Sequence, residues 1–252
     1  MNIAVKVISR KNSNRRPLIE KHINDKNISF CFFDAADKSN ITFLSDRIFK
    51  FKDLTLELKT DSTVFDSFTR KKSLRIGEVG CFFSHYALWK ALINSDVDAF
   101  LILEDDAFLM FDKTELDIFC KTPFPEEIDI ILCQYVSPNF PLGKSKFKHL
   151  SDELSIKMQN GILDWETTEG TTGYIITKRG ATALVKLVEE YQLFNPVDCF
   201  MTRAIARSNL TTYLCPKYLQ IGMSNYWVNT EIHYDKTDIK TILIDGIVFK
   251  YE

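Results

Sequence analysis

The run LILEDDAFL, residues 101–109, sets Glu104, Asp105 and Asp106 side by side in an otherwise apolar stretch. Adjacent carboxylates beside a buried strand raise one another's pKa and resist desolvation unless a cation or several donors compensate them. Acids also end strands as caps for a following helix, so the triplet alone does not decide its own role. Its first and third members fall on the same side of an extended backbone, from where two oxygens can reach one bound cation. Hard divalent ions such as Mg²⁺ or Mn²⁺ take oxygen ligands of this kind and keep places for phosphate oxygens. The chemistry to expect is therefore metal-assisted handling of a phosphorylated ligand.

Such groups need a sheet to hold them. Ala99 to Leu103 is apolar without alternation, which predicts a strand buried on both faces near the centre of a mostly parallel sheet. The triplet then lies at the strand's carboxyl end, where open α/β sheets bind ligands. Residues 3–8 read as a strand, Asn14 to His22 as a helix with Pro17 in its first turn, and 29–33 as a second strand, a β-α-β opening. From Gly77 to Ser95, Val79, Phe82, Phe83, Tyr86, Trp89, Leu92 and Ile93 recur at helical spacing, while Glu78, Ser84 and His85 crowd another side near the helix start. A lone helical His is more often structural than functional, but this one lies near acids and glycines. Further strands are predicted at 128–133, 173–177 and 211–215, helices at 178–191 and 195–208, a short helix near 61–68 and a hairpin at 241–249.

With 252 residues, 45% hydrophobic and 26% charged, the chain can form one α/β domain with a substantial core. A net charge of −2 argues against a nucleic-acid binder working through overall charge. Basic clusters at 10–16, 70–75 and 144–149 read as solvated loops, though together they could meet an anionic membrane face. The cysteines at 31, 81, 120, 133, 199 and 215 show no zinc or disulfide spacing. The opening apolar run is broken by Lys6 and falls far short of a membrane span. The expected location is the cytoplasm, at most peripheral on the inner face of the inner membrane.

Four blocks in order carry a resemblance: Gly77-Glu-Val-Gly-Cys-Phe-Phe-Ser-His-Tyr-Ala-Leu-Trp89, LILEDDA, Gly173-Tyr-Ile-Ile-Thr-Lys-Arg-Gly-Ala-Thr-Ala183 and Pro196-Val-Asp198. Together with the opening IAVKVISRKNSNRRP they resemble glycosyltransferase family 25, the bacterial lipooligosaccharide and lipopolysaccharide transferases. The resemblance implies a GT-A type fold, Rossmann-like, with a mostly parallel sheet and flanking helices in a single domain over 1–252. Its donor-binding half would be about 1–135 and its acceptor-side half about 136–252. It implies a UDP-sugar donor, UDP-galactose for many members, a Mn²⁺ or Mg²⁺ cofactor, a glycan acceptor and inversion at the sugar carbon. On that pattern Asp106 holds the metal, Glu104 contacts the ribose or a metal-bound water, and His233 is either a late metal ligand or a surface residue. Ser9, Arg16, Asp37, Glu78, Ser84, His85, Glu104 and Asp105 are placed with the donor.

An inverting displacement needs a base on the acceptor hydroxyl. Asp198, just after Pro196 at a helix start, is the first candidate, and an N-cap role is the competing one. Asp164, Glu166 and Glu169 flank Trp165, an aromatic suited to a sugar face, and stand in reserve. Two other readings compete. A haloacid-dehalogenase-type phosphatase would follow its nucleophilic Asp with a second Asp and Gly-Thr, whereas Asp106 precedes Ala107 and Phe108. A non-catalytic nucleotide-sugar or glycan-binding domain would keep the fold without turnover.

Overall fold

The computed structural model describes residues 1–59, 74–123, 127–133, 170–192, 195–207, 210–223, 241–244 and 247–250. The helix expected near 61–68 lies outside them. The chain opens β1 (Ile3–Ser9), α1 (Arg16–Asp25) and β2 (Phe30–Asp34), and β3 (Thr42–Phe43), β4 (Ile48–Phe51) and β5 (Leu54–Glu57) follow. Next come α2 (Ile76–Ile93), β6 (Ala99–Glu104), β7 (Ala107–Leu109), α3 (Lys113–Lys121) and β8 (Ile130–Leu132). The last part holds β9 (Gly173–Thr177), α4 (Lys178–Tyr191), α5 (Val197–Arg207), β10 (Thr212–Leu214), β11 (Ile221–Met223) and the hairpin β12 (Thr241–Ile244) and β13 (Ile247–Lys250).

The main sheet has the order β10-β8-β9-β6-β1-β2. β1 runs parallel to β2 and β6, and β8 to β10, whereas β9 is antiparallel to both its neighbours. The expected mostly parallel α/β sheet is thus present. β6 lacks alternation because both its faces are covered. Phe100 and Ile102 pack into one core with α2, α4 and α5, while Ala99, Leu101 and Leu103 pack into another with Ile19 and Ile23 of α1 and Leu116 and Phe119 of α3. Burial of large apolar side chains on both sides makes this strand a rigid base for the acids at its end.

Residues 38–59, which gave no clear pattern in sequence, form the small antiparallel sheet β3-β4-β5. Phe49, Phe51, Leu54 and Leu56 turn inward against α2, with the Phe51 and Phe83 rings 6.0 Å apart. β7 leaves the main sheet to pair with β11. The backbone therefore turns at Asp105 and Asp106, which corrects the expectation that Glu104 and Asp106 share one extended strand. Among the described residues no helix is long and apolar enough to cross a membrane.

Two contacts hold the segments that flank the acids. A Cβ at Gly80 would lie 2.3 Å from the Ala36 carbonyl oxygen, and the Ala36 N–H donates to Ser84 Oγ at 2.9 Å. One face of α2 thus grips the loop after β2. Gly80→Ala is expected to destabilise the fold by about 1–3 kcal/mol through overpacking against backbone, read as a lowered midpoint in thermal or urea unfolding. On the other side, the Leu109 N–H donates to His22 Nε2 at 3.0 Å, and the His22 ring stacks on Phe108. Burial, followed by the nearby Lys26 charge, holds the His22 pKa below its ordinary value. Its folded pKa lies below its unfolded one, so this contribution is present above the unfolded value, near 6.5, and is lost as pH falls through the folded one. Between pH 7 and 5 the wild type should lose more stability than His22→Gln, measured as the difference between their melting temperatures at each pH.

Candidate active site

The two-residue period of β6 sends Glu104 to the same face as Phe100 and Ile102, toward α2. Glu104 Oε1 there accepts the Thr171 hydroxyl and lies 3.3 Å from His85 Nε2 and 3.9 Å from Cys81 Sγ. Behind it, His85 Nδ1 is 2.8 Å from the Tyr174 hydroxyl, to which Trp89 Nε1 donates at 2.9 Å. Burial opposes ionisation of Glu104, but its hydrogen-bonded neighbour His85, then Thr171 and Arg15, outweigh it and hold the pKa below the usual carboxylate value.

Asp105 turns the opposite way, toward the loop between β1 and α1. It accepts Ser9 Oγ at 2.8 Å, Ser13 Oγ at 3.0 Å and Arg15 Nη1 at 3.2 Å. The same Arg15 nitrogen lies 3.6 Å from Asp106 Oδ2. The other oxygen of Asp106, Oδ1, is buried without a hydrogen-bond partner among the described residues. Burial first, then the charges of Glu104 and Asp105, push the Asp106 pKa up to about 7 against the pull of Arg15. An orphaned oxygen on a carboxylate that resists its own charge fits a cation position.

Asp198 stands in the first turn of α5, with Oδ1 accepting the Cys199 N–H at 2.7 Å. Burial, then the charges of Glu104, Asp198 and Asp106, raise the Cys81 thiol pKa well above its ordinary value. Of these acids Glu104 is the one in contact with the thiol, at 3.9 Å. Cys81, His85 and Glu104 have ligand atoms within 4.8 Å of one another. That trio suits a metal poorly, since the thiol stays protonated and both His85 nitrogens are engaged. Glu104 and Asp106, two carboxylates at a strand end, suit a hard divalent ion better.

The model of the family described as Glycosyltransferase family 25 (LPS biosynthesis protein) matches residues 2–201. The chain belongs to glycosyltransferase family 25. Its relatives include Procollagen galactosyltransferase 1 of Danio rerio, 28% identical over 131 residues that make up 52% of this chain and 20% of that one. A Putative glycosyltransferase of Haemophilus influenzae is 28% identical over 191 residues, 73% of this chain and 57% of that one. Lipooligosaccharide biosynthesis protein lic2B of Haemophilus influenzae is 29% identical over 174 residues, 68% of this chain and 57% of that one. The chain thus spans about a fifth of the procollagen protein and over half of the two bacterial ones.

In this family 25 chain Asp105 and Asp106 share Arg15 at the end of β6, Asp198 stands at the start of α5, and several residues expected to touch the donor are engaged with protein. Ser84 and His85 are fully buried and Ser9 is 2% exposed, so in this structure all three are held in contacts with protein. The side of α2 that carries Ser84 and His85 faces protein, where it meets Ala36, Tyr174 and Glu104. Ser84 Oγ donates to the Gly80 carbonyl at 2.8 Å while holding Ala36, and Ser9 anchors Asp105. Glu78 Oε2 accepts the Arg75 N–H at 2.8 Å as a cap of α2. Arg16 pairs with Asp34 at 2.7 Å and lies over the Phe32 ring. Its neighbour Arg15, read in sequence as part of a solvated cluster, is the one that meets the acids. Asp37 closes a turn: burial opposes its charge, but hydrogen bonds from Ser39 and the Arg10 charge outweigh this and lower its pKa. Asp164, Trp165, Glu166, Glu169 and His233 lie outside the described residues. Thr171, Tyr174 and Arg15 were not singled out in sequence. Only the Gly173–Ala183 block and the Arg15-Arg16 pair hinted at them.

Proposed function

We propose that the chain is an inverting, divalent-cation-dependent hexosyltransferase that moves galactose from UDP-galactose to a lipooligosaccharide, lipopolysaccharide or other surface-glycan acceptor. The observation that carries this reading is the Asp106 Oδ1 that has no partner among the described residues, close after Glu104 at the carboxyl end of β6. Family membership and the printed names of relatives, a lipooligosaccharide biosynthesis protein and a procollagen galactosyltransferase, support the donor and acceptor classes. The donor half would run to about residue 135, and the acceptor half would follow it.

Asp106 and Glu104 would hold the cation, which when bound neutralises charge developing on the UDP leaving group. Arg15, pinned by Asp105, adds a fixed positive charge at the same edge. Asp198 would take the proton of the acceptor hydroxyl as that oxygen bonds to the sugar carbon and the bond to UDP breaks.

Incubating the protein with Mn²⁺, a truncated lipooligosaccharide and UDP-galactose, UDP-glucose or UDP-N-acetylhexosamine tests the reading. UDP release that requires acceptor, with a galactosylated product of inverted anomeric configuration by NMR, is the expected result. Phosphate release without acceptor would support a phosphatase instead. Donor binding without turnover would support a binding domain.

A further inference from the structure

We propose that Tyr174 and Trp89 are positioning residues that act through His85, fixing it as the Nε2–H tautomer so that it donates to Glu104 and orients that carboxylate. This rests on the transferase reading only for its effect on rate. The tautomer itself follows from the donors on the page.

Trp89 Nε1–H can only donate, and its partner is the Tyr174 oxygen at 2.9 Å. The Tyr174 proton must then find an acceptor, and among the described residues its other partner is His85 Nδ1 at 2.8 Å. A ring that accepts at Nδ1 carries its proton on Nε2, which faces Glu104 Oε1 at 3.3 Å. The opposite tautomer would set a lone pair against a carboxylate and strand the phenol proton in a core where Tyr174 is 1% exposed and Trp89 and His85 are 0% exposed. The chain Trp89, Tyr174, His85, Glu104 therefore has one consistent direction of donation. Each link sits on a different part of the fold: α2 supplies Trp89 and His85 one turn apart, β9 supplies Tyr174, and β6 supplies Glu104. The His85 and Tyr174 rings also stack, with centroids 5.6 Å apart and planes 23° from parallel, which fixes the imidazole against rotation.

The consequence for Glu104 is directional. The bonds from His85 and Thr171 both fall on Oε1, so among the described residues they fix the carboxylate through one oxygen and leave the other for a cation. Removing the phenol hydroxyl leaves the ring packing but releases His85 to change tautomer, and Glu104 loses its fixed orientation. Partners of this kind behind a ligand carboxylate change affinity or rate by about 10- to 100-fold.

The test combines a spectroscopic and a kinetic arm on the full chain. In ¹⁵N-histidine NMR, with His85→Gln used to assign the signal, the wild type should show His85 protonated at Nε2 and unprotonated at Nδ1. Tyr174→Phe should shift that population. In transfer assays Tyr174→Phe should lower kcat/KM for the donor by about tenfold or more, yet have little further effect in a Glu104→Gln background, because its route runs through Glu104. Trp89→Phe serves as the second variant should Tyr174→Phe fail to fold. An Nδ1–H or doubly protonated ring in the wild type overturns the proposal, as does an equal loss in both backgrounds. If the wild type transfers no sugar at all, the functional reading fails, and the tautomer arm alone decides this inference.

Discussion

Asp106→Asn is expected to lower transfer by about 10²-fold or more, the scale of losing a group that stabilises developing charge, while the melting temperature without added metal is not lowered. The two effects separate because the native carboxylate is an electrostatic burden on the fold. Burial, Glu104 and Asp105 all oppose its charge, and one oxygen has no partner among the described residues. Asn keeps the volume and removes that charge. Arg15 retains Asp105 at 3.2 Å, so the loop between β1 and α1 stays anchored in the variant. Turnover, UDP affinity with and without Mn²⁺, and thermal unfolding on one preparation would check this. Wild-type turnover in the variant would sink the metal assignment, and a large fall in melting temperature would mean that Asp106 is structural.

Asp198→Asn should lower the transfer rate by about 10²-fold or more, the usual scale of general-base catalysis, with donor affinity near normal. The donor would be held by Asp106, Glu104 and Arg15, none of which the change removes. Asp198 is the second residue of α5, so its structural alternative is favourable contact with the helix N-terminus. That is worth about 0.3–1 kcal/mol and would appear in stability alone. Measuring donor affinity and single-turnover rate on the same variant separates the cases. Near-normal turnover would transfer the base role to Asp164, Glu166 or Glu169.

The elements that sequence displays well are those whose signal is local. β6 was legible because a run of five apolar residues between polar ends has few other uses, and α4 begins where expected because Thr177 Oγ1 caps it by accepting the Gly180 N–H. The sense of β9 was not legible, since parallel or antiparallel pairing is decided by tertiary neighbours that composition does not encode. β3, β4 and β5 were missed although Ile48-Phe-Lys-Phe and Leu54-Thr-Leu-Glu alternate in hindsight; each is only two to four residues long and too short for periodicity to separate from loop.

At the site, residue types were legible and directions were not. Helical spacing placed Ser84 and His85 on one side of α2, but spacing cannot say whether that side meets water or another part of the chain. Here it meets Ala36, Tyr174 and Glu104. Which of Arg15 and Arg16 meets the acids was not legible for a similar reason. Consecutive residues at a helix start point in different directions, and only the position of the turn after β6 decides which one reaches the acids.

The central claim is that the triplet in LILEDDAFL exists to hold a cation against a nucleoside diphosphate. Crystals grown with Mn²⁺ and UDP, with data collected at a wavelength that reveals manganese by its anomalous signal, test it most directly. The account predicts a manganese peak at bonding distance from an Asp106 oxygen, with Glu104 beside it, a UDP phosphate oxygen completing the shell and His85 still bonded to Tyr174. A peak within the Cys81, His85 and Glu104 trio, or UDP bound with no metal near Asp106, would contradict it.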